Sequence, residues 1–104
     1  MNTNSFTEFV LSLKIDSGTW NTMNVRDWRH PIPGTQGRVL FSKKFTSIPT
    51  VTVAMSSADV SKDHNLRVSV YATDVDLEGF TAHADSWADT KLYSCGISWM
   101  AIGN

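Results

Sequence analysis

The chain has 104 residues, 9 Lys and Arg against 10 Asp and Glu, a formal net charge of −1 and one cysteine. That length supports one hydrophobic core and not two, so residues 1–104 read as a single domain. Scattered charges, with no like-charge run longer than Lys43-Lys44, exclude a phosphate-tracking surface and so nucleic acid as a partner, and a lone cysteine excludes an internal disulfide framework.

The segment from Met1 to Phe9 lacks the basic start and unbroken apolar run of a secretory signal. No stretch approaches the ~18 apolar residues that a membrane helix needs. The expectation is a soluble protein without membrane insertion, cytoplasmic or exported by an unconventional route. Phe9, Leu11, Leu13 and Ile15 alternate with Val10, Ser12 and Lys14, which predicts a first strand over 9–15. Residues 16–37 then lose the period. Asp16-Ser17-Gly18 and Pro31-Ile32-Pro33-Gly34 are breakers, and Trp20, Met23 and Trp28 lie scattered among polar residues. This reads as one long connection, and connections longer than about 15 residues in a compact domain carry function or packing of their own.

Period two returns at 38–45, where Val39 and Phe41 point inward, and again at 50–55, where Val51, Val53 and Met55 alternate with Thr50, Thr52 and Ala54. Ser57-Ala58-Asp59 reads as a turn. Leu66, Val68, Val70 and Ala72 then alternate with Arg67, Ser69 and Tyr71. After the turn Asp76-Leu77-Glu78-Gly79, with Gly79 expected to supply a positive φ, Phe80, Ala82 and Ala84 alternate with Thr81, His83 and Asp85. The last strand, 92–102, puts Ile97, Trp99 and Ala101 on one face, and Cys95 in it reads as a small packed residue. No apolar stripe at helical spacing occurs. The fold class is therefore all-β, a six-stranded antiparallel β-sandwich with three strands in each sheet. The outward residues Tyr71, His83, Thr81, Thr52 and Ser98 are not the Lys and Glu that blunt sheet edges, which points to self-association.

Metal and catalytic chemistry find little support. Asp74 to Gly79, with Asp85 beyond, mimics a calcium loop, but such loops lie between helices and these flanks alternate with period two. His30, His64 and His83 have no metal-pair spacing. The best nucleophilic set, Ser69 or Ser86 with His83 and Asp85, lacks a nucleophile elbow or oxyanion loop, so no enzyme activity and no cofactor are expected.

Two residues fit no core. Arg67 sets a permanent charge in an apolar strand, and Trp87 sits among Asp85, Ser86, Asp89 and Thr90. Sugars offer apolar C–H faces to aromatic rings and hydroxyls to charged partners, so this pair suits a carbohydrate site, with Asp27 or Asp89 as acceptors. The alternatives are that Trp87 caps the sandwich end, and that Arg67 pairs with Asp59, Asp63 or a neighbouring subunit.

Phe41-x3-Phe45-x3-Pro49-x-Val51, Asp59, Asn65-Leu66-Arg67-Val68, Gly79-Phe80, Trp87-x2-Thr90-Lys91-x-Tyr93-Ser94 and Ile97-Ser98-Trp99 together resemble the H-type lectin domain of snail agglutinins and of the C-terminal region of discoidins. The resemblance covers roughly 38–102. It implies a six-stranded sandwich assembled as a homotrimer that binds galactose or N-acetylgalactosamine glycans without metal, in pockets between subunits. It further implies that Arg67 hydrogen-bonds the sugar, that Trp87 and Tyr93 form the apolar wall, and that an acid from the long loop, Asp27, completes the site, with His30 a competing occupant. Snail agglutinins carry a histidine directly after the tryptophan, where this chain has Ala88, so selectivity for the acetamido group is expected to be relaxed. The rival expectation is a structural or attachment trimer that binds no sugar.

Overall fold

Alternation of apolar and polar side chains gives each strand one face to bury, and burying six such faces takes two stacked sheets. The computed structural model describes residues 13–104. Its strands are β1 (Lys14–Asn21), β2 (Gly34–Leu40), β3 (Thr50–Val60), β4 (Val68–Thr73), β5 (Gly79–Ser86) and β6 (Leu92–Gly103), with a short 3-10 turn, Thr22–Asn24, after β1. One sheet has the order β1-β6-β3 and the other β2-β5-β4, every pairing antiparallel. No helix among the described residues is long and apolar enough to cross a membrane.

The all-β sandwich of two three-stranded sheets is as expected, but several element bounds differ. The part of the predicted first strand before Leu13 lies outside the described residues. The long connection read over 16–37 is in fact two strands and a shorter loop at 22–33. Glycine hid both strands from a period-two reading. Gly18 lies directly across from Trp99, and a Cβ there would stand 2.8 Å from the indole Cζ2; at Gly37 it would stand 2.8 Å from Trp20 Nε1. Two glycines thus hold the places on which two core tryptophans lie. The strand expected over 38–45 ends at Leu40, and Ser57-Ala58-Asp59 continues β3 past a register shift between Met55 and Ser57. Gly79 has no positive φ either; its role is space, because a Cβ would collide with the Val39 carbonyl oxygen.

The core is built from the central strands outward. Phe80, Ala82 and Ala84 of β5 face Cys95, Ile97, Trp99 and Ala101 of β6, and Trp20, Val39, Phe41 and Phe45 close the sides. Small alanines opposite large rings let the layers interdigitate. The outer face of β1-β6-β3 differs from an ordinary solvated face. Cross-strand rows Ile15, Ile102, Thr50 and Ser17, Met100, Thr52 lie there, and Ile15, Met100 and Ile102 are exposed.

Candidate functional site

Of the five connections, three, at 22–33, 61–67 and 87–91, meet at one end of the sandwich, and each of these crosses from one sheet to the other. The opposite end holds the connections 41–49 and 74–78.

The connection after β5 turns within a few residues, with Thr90 N–H donating to the Trp87 carbonyl (3.3 Å) and Ala88 in the left-handed region at φ 58°. Asp85 and Ser86 still belong to β5, so nothing local covers the Trp87 ring, which is 52% exposed. The Thr90 hydroxyl joins this turn to the chain entering β4. It donates to the Asn65 carbonyl and accepts from the Arg67 N–H at 3.0 Å. Arg67 lies just before β4 and not inside a strand, and its Nη1 meets Asp89 Oδ1 at 3.0 Å. The ion pair is therefore with Asp89, in place of the Asp59 or Asp63 considered from sequence. Both partners are substantially exposed, so the pair contributes little stability, at most about 1 kcal/mol. No other N–H of this guanidinium has a hydrogen-bond partner among the described residues.

The loop at 22–33 takes over the edge of β6 where β1 stops pairing. Asn21 pairs with Gly96; one step on, the Thr22 hydroxyl accepts from the Cys95 N–H at 2.9 Å. Arg26 continues the series. Its Nη2 donates to the Leu92 carbonyl (2.7 Å), Nη1 to the Tyr93 carbonyl (3.0 Å) and the Asp27 carbonyl (3.4 Å), and Nε to Thr35 Oγ1 of β2 (2.8 Å). A planar fork of donors matched to fixed oxygens lets the charge sit partly buried with no carboxylate on it, although burial lowers its pKa from the ordinary value. Tyr93 is the extra residue of a β-bulge, because Ser94 pairs with Asp59 while Leu92 pairs with Val60. The bulge frees the carbonyl that Arg26 uses.

Beyond Arg26, Asp27 is gripped by Arg29. The guanidinium donates Nη2 to Oδ2 at 2.6 Å and Nε to both oxygens at 3.1 Å, and the Arg29 N–H donates to Oδ1 at 2.9 Å. These bonds hold the Asp27 carboxyl well below the usual carboxylate range, at about 2. Trp28 stands edge-on to Tyr93, ring centroids 6.0 Å apart and planes at 89°. His30 is exposed, and its N–H donates to the Asp27 carbonyl. The Ser86 N–H donates to the Pro33 carbonyl (2.8 Å), and a shallow cavity of about 230 Å³ lies between Pro31, Ile32 and Pro33 on one side and Thr90 and Lys91 on the other.

Arg67, Asp89, Thr90, Trp87 and Ala88 thus form one group and Asp27, Trp28 and the β6 residue Tyr93 another, at the same end of the sandwich. No hydrogen bond, ion pair or ring contact joins the two groups among the described residues. Sequence reasoning missed Arg26, whose role depends on carbonyls far along the chain, and the linking role of Thr90. The Ser-His-Asp set does not form. Asp85 accepts from Tyr71 Oη at 2.5 Å, His83 stacks on Tyr71 and bonds Thr73 at 2.6 Å, and Ser86 faces the buried side. Asp76 of the acidic turn is committed to the Glu78 and Gly79 N–H groups and to Arg38. Burial raises the pKa of the Cys95 thiol, as a packed cysteine requires.

Comparison with known proteins gives three findings. The model of the H-type lectin domain matches residues 36–102. A protein described as "ATP synthase subunits region ORF 7" from Fuscovulum blasticum is 33% identical over 66 residues, which is 64% of this chain and 57% of that protein. Two structures of discoidin II from Dictyostelium discoideum, one recombinant and one wild-type, superpose with a TM-score of 0.74 at 16% identity. They cover 88% of this chain, which spans 38% and 36% of theirs.

Proposed function

Because the chain belongs to the H-type lectin domain family, we propose that it is a carbohydrate-binding lectin that recognises terminal galactose or N-acetylgalactosamine glycans without metal and without catalysis. Arg67 donates to sugar hydroxyls, Trp87 and Tyr93 pack on the apolar face of the ring, and Asp27 or Asp89 accepts from hydroxyls. His30 flanks the same loop. Ala88 in place of a histidine leaves the acetamido group without a partner at that position, so galactose and N-acetylgalactosamine are bound with similar affinity.

The observation that carries this reading is a half-exposed indole beside a guanidinium with donors to spare. Thr90 and Asp89 tie the turn that carries Trp87 to the connection that carries Arg67, so ring and cation are held at the same end of the sandwich. Preorganisation of that kind lowers the cost of ordering the site on binding. The Asp89 pair also aims the guanidinium instead of leaving a flexible cation.

Such sites are shallow, and the lectin compensates by trimerisation, which presents three sites and converts later binding events into intramolecular ones. The exposed Ile15, Met100 and Ile102 on one sheet face supply the apolar contact for a soluble homotrimer. The same face supports a second reading, a structural or attachment trimer that binds no sugar.

A glycan array with calorimetry separates the two. Wild type is expected to capture galactosyl glycans, and Arg67→Ala to lose at least tenfold in affinity, the size expected for a charged hydrogen bond, with the oligomer intact. A wild type that captures no galactosyl or N-acetylgalactosaminyl glycan, together with an Arg67→Ala protein that no longer trimerises, would leave the structural reading standing.

A further inference from the structure

Three tryptophans of the described chain are placed for reasons already given, two in the core and one on the turn after β5. Trp28 is the fourth. It is 50% exposed, whereas Trp20 and Trp99 are 4% and 7% exposed, so it contributes little to the core. An exposed indole in a loop ordinarily lies down on the nearest apolar surface to reduce its contact with water. Trp28 packs edge-on against Tyr93 and still stays half exposed, and the residues on both sides of it are pinned. Arg26 holds the preceding backbone to β2 and β6 through three oxygen acceptors, and Asp27 and Arg29 grip each other across the tryptophan. The ring is therefore displayed at no further ordering cost. Two rings at a right angle form a corner, with two apolar surfaces that one flat stack would not offer.

We propose that Trp28, standing edge-on beside Tyr93 of the primary site, supplies a second aromatic subsite, so that the ligand is an oligosaccharide. The terminal galactosyl unit occupies the Arg67 and Trp87 site, and the next sugar packs its C–H face on Trp28. The inference rests on the galactosyl-binding reading above. Arg29, whose guanidinium lies against Asp27, serves the hydroxyls of that second sugar. The loop at 22–33 then has a function of its own, selecting among glycans by the sugar to which the terminal unit is linked.

The test is calorimetric titration of the full chain with methyl α- and β-galactoside, melibiose and lactose, on wild type, Trp28→Ala and Trp28→Tyr, with sedimentation run alongside. Wild type is expected to bind at least one disaccharide on the order of fivefold more tightly than the methyl galactoside of the same anomer. Trp28→Ala should remove that advantage while methyl galactoside affinity stays within twofold, and Trp28→Tyr should keep most of it. An unchanged disaccharide advantage in Trp28→Ala overturns the second subsite and leaves the lectin reading intact. Equal losses for both sugars, or loss of the trimer, overturn it by placing Trp28 in the primary site or in the subunit interface. A wild type that binds none of the four overturns both readings.

Discussion

Asp27 and Arg29 show how much one local pair determines here. The two residues are separated only by Trp28, and the guanidinium reaches back to occupy both carboxylate oxygens. An acid offered by sequence as a free acceptor for sugar hydroxyls is therefore already half-spent, and what remains to it are lone pairs not used by Arg29. Its pKa of about 2 lies below the value near 4 of an unfolded aspartate. The bonds therefore contribute in full above the unfolded value, and their contribution is lost as pH falls through the folded one. An NMR titration of the Asp27 side-chain carboxyl is expected to give a midpoint about two units below a random-coil aspartate. A midpoint near 4 would mean that Arg29 does not hold it in solution. Arg26 acts differently, since its partners are backbone and hydroxyl oxygens and do not titrate.

At the scale of elements, pairs of tryptophan and glycine decide how the strands lie. Trp99 of β6 covers Gly18 of β1 within one sheet, and Trp20 of β1 reaches across the core to Gly37 of β2. A methyl at Gly37 would meet Trp20 Nε1 at 2.8 Å and Val25 Cγ1 at 3.0 Å, and Trp20, being buried, has nowhere to move. Gly37→Ala is therefore expected to destabilise by about 1–2 kcal/mol, the cost of overpacking less the gain from a less flexible unfolded chain. The drop in melting temperature should be about 5 °C or more. Gly34→Ala is the control, since a Cβ there stands 3.7 Å from Asp85 Oδ1, an ordinary contact. Equal melting temperatures for the two variants would show that Trp20 does not need the space at Gly37.

Across the whole molecule, the two sheets present unlike outer faces. On β2-β5-β4, Tyr71, His83, Thr73 and Asp85 satisfy one another, the rings of Tyr71 and His83 stacked at 4.4 Å. On β1-β6-β3, Ile15, Met100 and Ile102 are exposed and have no such network among the described residues. Self-association is therefore argued for the second face. Of the outward residues singled out in the sequence, Thr52 and Ser98 lie on it, and Tyr71, His83 and Thr81 on the other. Met100, in the middle strand of its row, is the position to charge. Sedimentation of wild type is expected to give a trimer and Met100→Lys a monomer that loses multivalent capture of galactosyl surfaces. A monomeric wild type, or a trimeric Met100→Lys protein, would remove this face from the assembly.

The class is written in the residues themselves: period-two alternation in 50–55, 66–72, 80–84 and 92–102 leaves four segments with one face to bury, and the alternation at 9–15 and 38–45 marks two more that overlap only the ends of β1 and β2. The order and spacing of Arg67, Trp87 and Tyr93 carried the family resemblance, because those residues lie in regular segments or in short turns next to them. β1 beyond Ile15 and β2 before Arg38 were not legible, since glycine replaces the inward side chain at 18 and 37, and the pattern reappears only when the tryptophan covering each glycine is seen. It took the folded chain to reveal that Arg67 pairs with Asp89, that Arg29 occupies Asp27, and that Arg26 bolts a loop to carbonyls more than sixty residues away. Those contacts use backbone oxygens or the far ends of long polar side chains, which leave no period in a sequence. Their partners are set by where strands from two sheets end side by side.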